Sequence, residues 1–365
     1  MYALTYRGNT DPAATKAKIL ATATERHAAP LYRALCEATE QMPDASAVKG
    51  MEEVVAAKLK TLEEERANAL ENEGESELRS VLYQRARLHM HILDKPAALA
   101  AFDETYAKTV PIGQKLDVVF CKLRIGLYDL DHVLLKENIA KAKELLDQGG
   151  DWERRNRLKV YEAMYLVSVR QFEQAATLLL DSVATFTATE VCSYERFILY
   201  VVIAAQLALD RPTMKSKVVD APEILAVIGN MPHIESFLNS LCAPLFFGDS
   251  IRCLLADRAR APYMARHARQ YFLECRLVAY KQFLESYSSV RLDSMAATFG
   301  LSADFLDKEL SMYIASGRLR CKIDKVAGVI VTKRLNVKNT KYQATIKEGD
   351  LLLNRIQKLS RVINV

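Results

Sequence analysis

The chain has 365 residues and a net charge of +5, enough length for two or three domains and a sizeable core. Glycine and proline together make up about 6% of it, roughly half the usual share, which argues against a turn-rich chain and favours long helices with short connections. The charge is uneven: residues 326–365 carry a local +6, so everything before them sums to about −1, a basic tail suited to an acidic partner surface rather than wholesale DNA binding.

The seven cysteines (36, 121, 192, 242, 253, 275 and 321) are odd in number, scattered and without a C-x-x-C pair, a pattern of reduced thiols, not of a disulfide framework or zinc site. The opening "MYALTYRGNT" reads as no signal peptide. The longest strongly apolar run, Phe197 to Ala205, is too short to cross a bilayer and predicts a buried helix. The expectation is a soluble intracellular protein with no membrane contact.

Residues 1–47 have weak periodicity and remain uncertain helix and loop. A helix is predicted from about Val48 to Asn72, with Met51, Val55, Leu59, Leu62 and Leu70 on one stripe and the other faces charged. From Leu78 helical segments pair up: 78–93 with 96–108, 113–128 with 132–147, 152–169 with 171–186, then 189–208. The first helices of successive pairs start 35, 39 and 38 residues apart, the period of a tetratricopeptide-like solenoid. Pro96 suits a first helical turn.

Residues 209–288 continue as helices interrupted by Pro212, Pro222, Pro232, Pro244 and Pro262, with one long segment predicted from Tyr263 to Tyr287. Then Asp293 to Phe299 forms a short helix stopped by Gly300, and Ser302 caps a second helix in which Phe305, Leu306, Leu310 and Ile314 share a face. After Gly317 a hairpin of strands 318–323 and 329–332 completes a winged helix. Arg318, Arg320 and Lys322 alternate with Leu319, Cys321 and Ile323, giving that hairpin a cationic face. A last helix from about Tyr342 to Ile363 places Leu352, Ile356, Leu359 and Ile363 at i, i+4, i+7 and i+11, a stripe that wants a partner helix.

The fold class is therefore all-α: a helical-repeat solenoid, a winged helix and a C-terminal helix. The divisions are an N-terminal segment (1–50), the solenoid (51–208), a continuing helical part (209–288), the winged helix (289–335) and the terminal helix (341–365).

A winged helix raises the question of DNA. The second helix offers Asp304, Asp307 and Glu309 against Lys308, and residues 293–325 balance five acids with five bases. Without a cationic reading helix the phosphate term that dominates binding is missing, so nucleic acid is not the expected partner. Catalysis lacks candidates too. The phosphate-cradling G-x-x-x-x-G-K-[ST] and G-x-G-x-x-G patterns, H-E-x-x-H and G-x-S-x-G are absent. His89-Met90-His91 resembles the H-x-H of zinc isopeptidases but no Ser-x-x-Asp follows, and i and i+2 point apart on a helix. Asp129-Leu130-Asp131 sits between two helices, where Asp131 reads as a cap rather than an ion ligand. No enzyme activity, cofactor or metal is expected.

Three stretches carry a resemblance: "GGDWERRNRLKVYEAMYLVSVRQFEQAATLLLDSV" (149–183), "GRLRCKIDKV" (317–326) and "GDLLLNRIQKLSRVINV" (349–365). With the solenoid-to-winged-helix plan, they closely resemble the PCI-domain subunits of the lid of the proteasome's 19S regulatory particle. The resemblance runs from about Met51 onwards and is not visible in the first 50 residues. It implies a non-catalytic scaffold in ubiquitin-dependent protein degradation, in cytoplasm and nucleus, whose winged helix joins a horseshoe and whose terminal helix joins an assembly bundle. The partners it implies are other lid subunits (non-ATPase regulatory subunits 3 and 11 as neighbours), a small acidic lid subunit and the ATPase ring. On that reading Leu352, Ile356, Leu359 and Ile363 form the bundle face, and Arg318, Arg320 and Lys322 a further contact. The alternatives are a signalosome subunit of the same domain plan and, from another class, a winged-helix nucleic-acid binder.

Overall fold

The computed structural model describes residues 12–39, 42, 44–72, 74–229, 231, 262–332 and 337–363. Their contacts separate two units: residues up to 231 together with 262–272, and residues 273–363.

The first unit is built of helices. They are α1 (Pro12–Glu25), α2 (Ala29–Ala38), α3 (Ala45–Asn72), α4 (Glu75–Ile92), α5 (Lys95–Lys108), α6 (Ile112–Asp129), α7 (His132–Asp147), α8 (Trp152–Val169), α9 (Phe172–Ser182) and α10 (Tyr194–Ala208). The short α11 (Arg211–Met214) runs into a π-helical turn, Lys215–Val219, before α12 (Pro222–Ile228). Pro212 and Pro222 each occupy a first helical turn, where the missing N–H costs nothing; Pro232 and Pro244 lie outside the described residues.

The pairs α4–α5, α6–α7 and α8–α9 are the repeats. Each first helix ends on a non-glycine residue in the left-handed region: Leu93 (φ 66°), Leu130 (φ 55°) and Arg170 (φ 71°). One further residue then starts the return helix. In two repeats that residue is an aspartate whose carboxylate accepts a backbone N–H, Ala97 on Asp94 at 3.4 Å and Leu134 on Asp131 at 3.2 Å. A reversal this tight forces the two helices into direct contact. Small residues make that possible: Ala86, Ala98 and Ala101 pack with Phe102, Val118 and Cys121. A methyl group on Gly126 would meet Leu135 at 3.0 Å.

Polar links join helices one repeat length apart, from α3 onwards. Arg66 reaches Glu104 (2.7 Å), Tyr83 OH meets Cys121 Sγ (3.4 Å), Lys95 reaches Asp131 (2.9 Å) and Arg154 reaches Asp117 (3.1 Å). These pairs are 36–38 residues apart, the repeat length itself. In α10 every residue from Phe197 to Ala205 is buried, so that helix is apolar all round because it is covered all round.

The long segment expected from Tyr263 to Tyr287 is broken: α13 (Pro262–Ala265) and α14 (Ala268–Ser286) are separated by a turn at Arg266–His267. The turn lets His267 Nε2–H donate to the Ser168 carbonyl at 2.9 Å, while Tyr271 OH donates to the Ile203 carbonyl at 3.0 Å. Both bonds satisfy backbone acceptors of the solenoid.

The second unit takes the rest of α14, then β1 (Ser289–Arg291), α15 (Leu292–Phe299), α16 (Ala303–Ala315), β2 (Cys321–Asp324), β3 (Val329–Thr332) and α17 (Val337–Ile363). The antiparallel sheet has the order β1-β3-β2. Strand β1 had not been read from sequence; three residues are too few to show a period. Register pairs Val290 with Ile330 and Ile330 with Ile323 on the inner face. Ile330 there packs into a core of Leu277, Tyr280, Leu284, Met295, Leu306, Leu310 and Tyr313. Gly300 (φ 64°) ends α15, and Ser302 Oγ accepts the Phe305 N–H to start α16. The whole is an all-α fold of helical repeats with a winged helix, as the patterning predicted.

Candidate interaction surfaces

The wing differs from its sequence reading in one residue. Arg320 is exposed just before β2 and Lys322 points outward from it beside Val331, as the alternation required. Arg318 does not join them. It precedes the strand and its guanidinium is held bidentately by the carboxylate of Glu274 in α14, with Nη1 2.8 Å from Oε1. That pair holds the Arg318 proton still more firmly than usual. Arg318 is thus an internal fastener, invisible in sequence because its partner lies 44 residues away.

Helix α16 also needs correction. Glu309, counted among the surface acids, is buried: its carboxylate pairs with Arg276 at 2.8 Å and accepts from Tyr280 OH at 2.7 Å and Tyr313 OH at 3.4 Å. Burial, together with this carboxylate, pushes both phenols above their usual range. Asp307 is tied to Lys325 at 3.0 Å. Phe305, expected on the buried face with Leu306 and Leu310, is instead 43% exposed, with the Arg276 guanidinium 5.3 Å from its ring centre. The outer face of α16 therefore presents Asp304, Phe305, Lys308, Ser311 and Met312. It is neutral rather than acidic. A neutral face still lacks the phosphate-binding cations of a reading helix.

The aspartates of the α6–α7 turn are accounted for. Lys95 Nζ lies 3.4 Å from Asp129 and 2.9 Å from Asp131, filling the place a cation would take. Asp131 also caps α7, and the Lys95 bond is the larger reason its carboxyl titrates below the ordinary range. Partial burial lowers the pKa of both His89 and His91. Among the described residues no group of three or more His, Cys, Asp or Glu could hold a metal ion. Nor is any described helix long and apolar enough to cross a membrane.

Helix α17 is the most exposed apolar element of the second unit. It starts at Val337, several residues before the predicted Tyr342, and none of its described side chains is buried. Leu352, Ile356, Leu359 and Ile363 are 55–71% exposed. Ile346 and Leu353, also uncovered, fall one position from this seam in a heptad and widen it. The sequence reading missed them because Leu351, Leu352 and Leu353 in a row blur a single stripe. A seam two columns wide suits a bundle of several helices better than a single partner.

Comparison with known proteins follows these elements. Residues 44–217 match the family described as 26S proteasome subunit RPN7, residues 255–334 the PCI domain, and residues 341–363 the 26S proteasome regulatory subunit RPN7/PSMD6 C-terminal helix. The 26S proteasome non-ATPase regulatory subunit 6 homolog of Arabidopsis thaliana is 48% identical over 352 residues, covering 96% of this chain and 91% of its own. The subunit of Dictyostelium discoideum is 46% identical over 345 residues, covering 92% and 88%. The 26S proteasome regulatory subunit RPN7 of Saccharomyces cerevisiae is 35% identical over 342 residues, covering 92% and 76%. An alignment of 352 residues must include most of the first 50, so the similarity reaches further towards the N-terminus than the three quoted stretches had indicated. By identity and coverage together, the chain belongs to the family of 26S proteasome non-ATPase regulatory subunit 6.

Proposed function

We propose that the chain is a non-catalytic structural subunit of the lid of the proteasome regulatory particle, acting in lid assembly and thereby in ubiquitin-dependent protein degradation. The observation that carries this reading is the uncovered seam of α17 on a chain of this family. Newly burying about 200 Å² of it contributes ~5 kcal/mol at ~25 cal/mol per Å², before the ordering cost of association. Relatives named as regulatory subunits support a role without chemistry.

In this reading residues 289–335 and 341–365 are the assembly parts and the repeats of 51–208 the arm that carries them. The neighbours are non-ATPase regulatory subunits 3 and 11, the small acidic lid subunit and the ATPase ring, in cytoplasm and nucleus, without nucleic acid or membrane. Leu352, Ile356, Leu359 and Ile363 form the bundle face; Arg320 and Lys322 add a weaker charged contact beside the open edge of β2. A signalosome subunit of the same plan is the alternative, and the names of the relatives weigh against it.

The test is native purification of tagged protein from its own cells, with mass spectrometry of what accompanies it. The parent chain should bring lid and ATPase subunits. Serine at Leu352, Ile356, Leu359 and Ile363 together should abolish that recovery while leaving the circular-dichroism melt unchanged, and glutamate at Arg320 and Lys322 should reduce it only modestly. Normal incorporation of the serine variant would refute the bundle assignment. Signalosome subunits in place of lid subunits would refute the complex.

A further inference from the structure

Several of the solenoid's cations have a carboxylate partner. Arg66, Lys95, Lys122, Lys143, Arg154, Arg157 and Lys159 are all paired. Arg26 after α1, Lys58 of α3, Arg87 of α4 and Arg124 of α6 form no ion pair among the described residues.

Three of these act on His91, and the fourth, Arg124, shares a cavity wall with it. The fields of Arg26, Lys58 and Arg87 all act on its ring, opposed by Glu25. Two cavities adjoin there. One, of about 330 Å³, has Arg26, His91 and Arg124 in its wall with Leu93, Leu127 and Tyr128. The other, a shallower groove of about 420 Å³, is walled by Lys58, Arg87 and His91. Met90 and His91 belong to both.

The acids of the first cavity are already engaged. Asp129 is held by Lys95, Glu190 by Arg157 and Tyr161, and Asp94 by the start of α5. Arg124 is left with poor partners: Nη2 donates to Cys121 Sγ at 3.1 Å, and Nε is buried with no hydrogen-bond partner. The carboxylate that acts on it, Glu190, is already shared with Arg157 and Tyr161.

We propose that the groove around His91 binds a compact phosphorylated ligand, held by Arg26, Lys58, Arg87 and Arg124. Phosphate suits the site because one group offers several acceptors to donors arriving from α3, α4, α6 and the end of α1, and the guanidinium fork matches its geometry. The cavity sizes suit a small polyanion or a single phosphorylated side chain. A free phosphate ester and a phosphoserine share this chemistry.

Binding should be linked to protons. In the free chain partial burial and the three cations disfavour the charged ring of His91. A bound dianion reverses that field and raises the ring's pKa, so a proton is taken up and affinity rises as pH falls.

The test is calorimetric titration of the full chain with inositol hexakisphosphate at physiological ionic strength, repeated with a doubly phosphorylated serine peptide. Binding in the micromolar range is expected, tightening as pH falls from about 7.5 to 6.5, above the phosphate's own second pKa of about 6. Arg26→Ala and Lys58→Ala, both at exposed positions and safe for folding, should each weaken it about tenfold or more, as should Arg124→Met. His91→Ala should remove the tightening at falling pH and leave only the opposing titration of the phosphate, whose second pKa is about 6. Lys136→Ala, on the exposed face of α7, should change nothing. Tighter binding of the peptide than of the inositol phosphate identifies a phosphorylated protein segment as the source, and the reverse a free phosphate; either supports the site. Failure of both probes, equal weakening by Lys136→Ala, or binding of an unphosphorylated glutamate peptide as tightly as the phosphopeptide would each overturn it.

Discussion

Glu309 shows how a single carboxylate changes meaning with its surroundings. By position it is one acid among several on a polar helix; in the fold it neutralises Arg276 and accepts from two tyrosines. Removing one partner of such a pair strands a buried charge. Glu309→Ala should therefore cost about 3–5 kcal/mol, read as a lower urea midpoint for the transition of the second unit. Asp131 is the milder case, since its side chain is 34% exposed. Asp131→Ala should cost about 1 kcal/mol at neutral pH, through the lost cap and the weakened Lys95 pair. Because the folded carboxyl titrates below its ordinary value, its contribution is complete above the unfolded pKa and lost as pH falls through the folded one. The melting difference between parent and variant should accordingly shrink below about pH 4. Sequence could assign Asp131 its cap because the partner is three residues away. It could not place Glu309 or Arg318, because Arg276, Tyr280 and Glu274, which hold them, lie on α14, 29–44 residues distant.

Among elements, the repeat helices from 96 to 169 were legible to within a residue, because tight turns and apolar faces mark their ends. By contrast α4 starts three residues before the predicted 78, α9 stops at Ser182 rather than 186 and α10 starts at Tyr194 rather than 189. What sequence did not show was how the turns are made. Leu93, Leu130 and Arg170 each take a backbone conformation that glycine adopts without cost. Arg170 makes no ion pair among the described residues, so Arg170→Gly should raise stability by about 0.5 kcal/mol, net of the freer unfolded chain, measurable as a small rise in thermal midpoint. The break between α13 and α14 was equally hidden. No proline or glycine stands at Arg266–His267, and the cause is tertiary, the bond of His267 to the Ser168 carbonyl. Strand β1 is a third such element, held by pairing with β3 rather than by any local pattern.

For the molecule as a whole, architecture was readable because it repeats. The seam of α17 was readable because its apolar residues recur at helical spacing, and among the described residues they stay uncovered. The groove around His91 was not, since its four cations come from separate helices and only the fold assembles them.

The repeat-length links carry a consequence for synthesis. Arg66–Glu104, Tyr83–Cys121, Lys95–Asp131 and Arg154–Asp117 each close as soon as 36–38 further residues exist. At ribosomal rates of ~5–20 residues per second, that is a new closure every few seconds, each on a repeat already in place. The arm can thus be built in order, from its first emerging helices, with His267 and Tyr271 arriving to bond a structure that is already standing. The uncovered leucines of α17 leave the ribosome only after every repeat has been made.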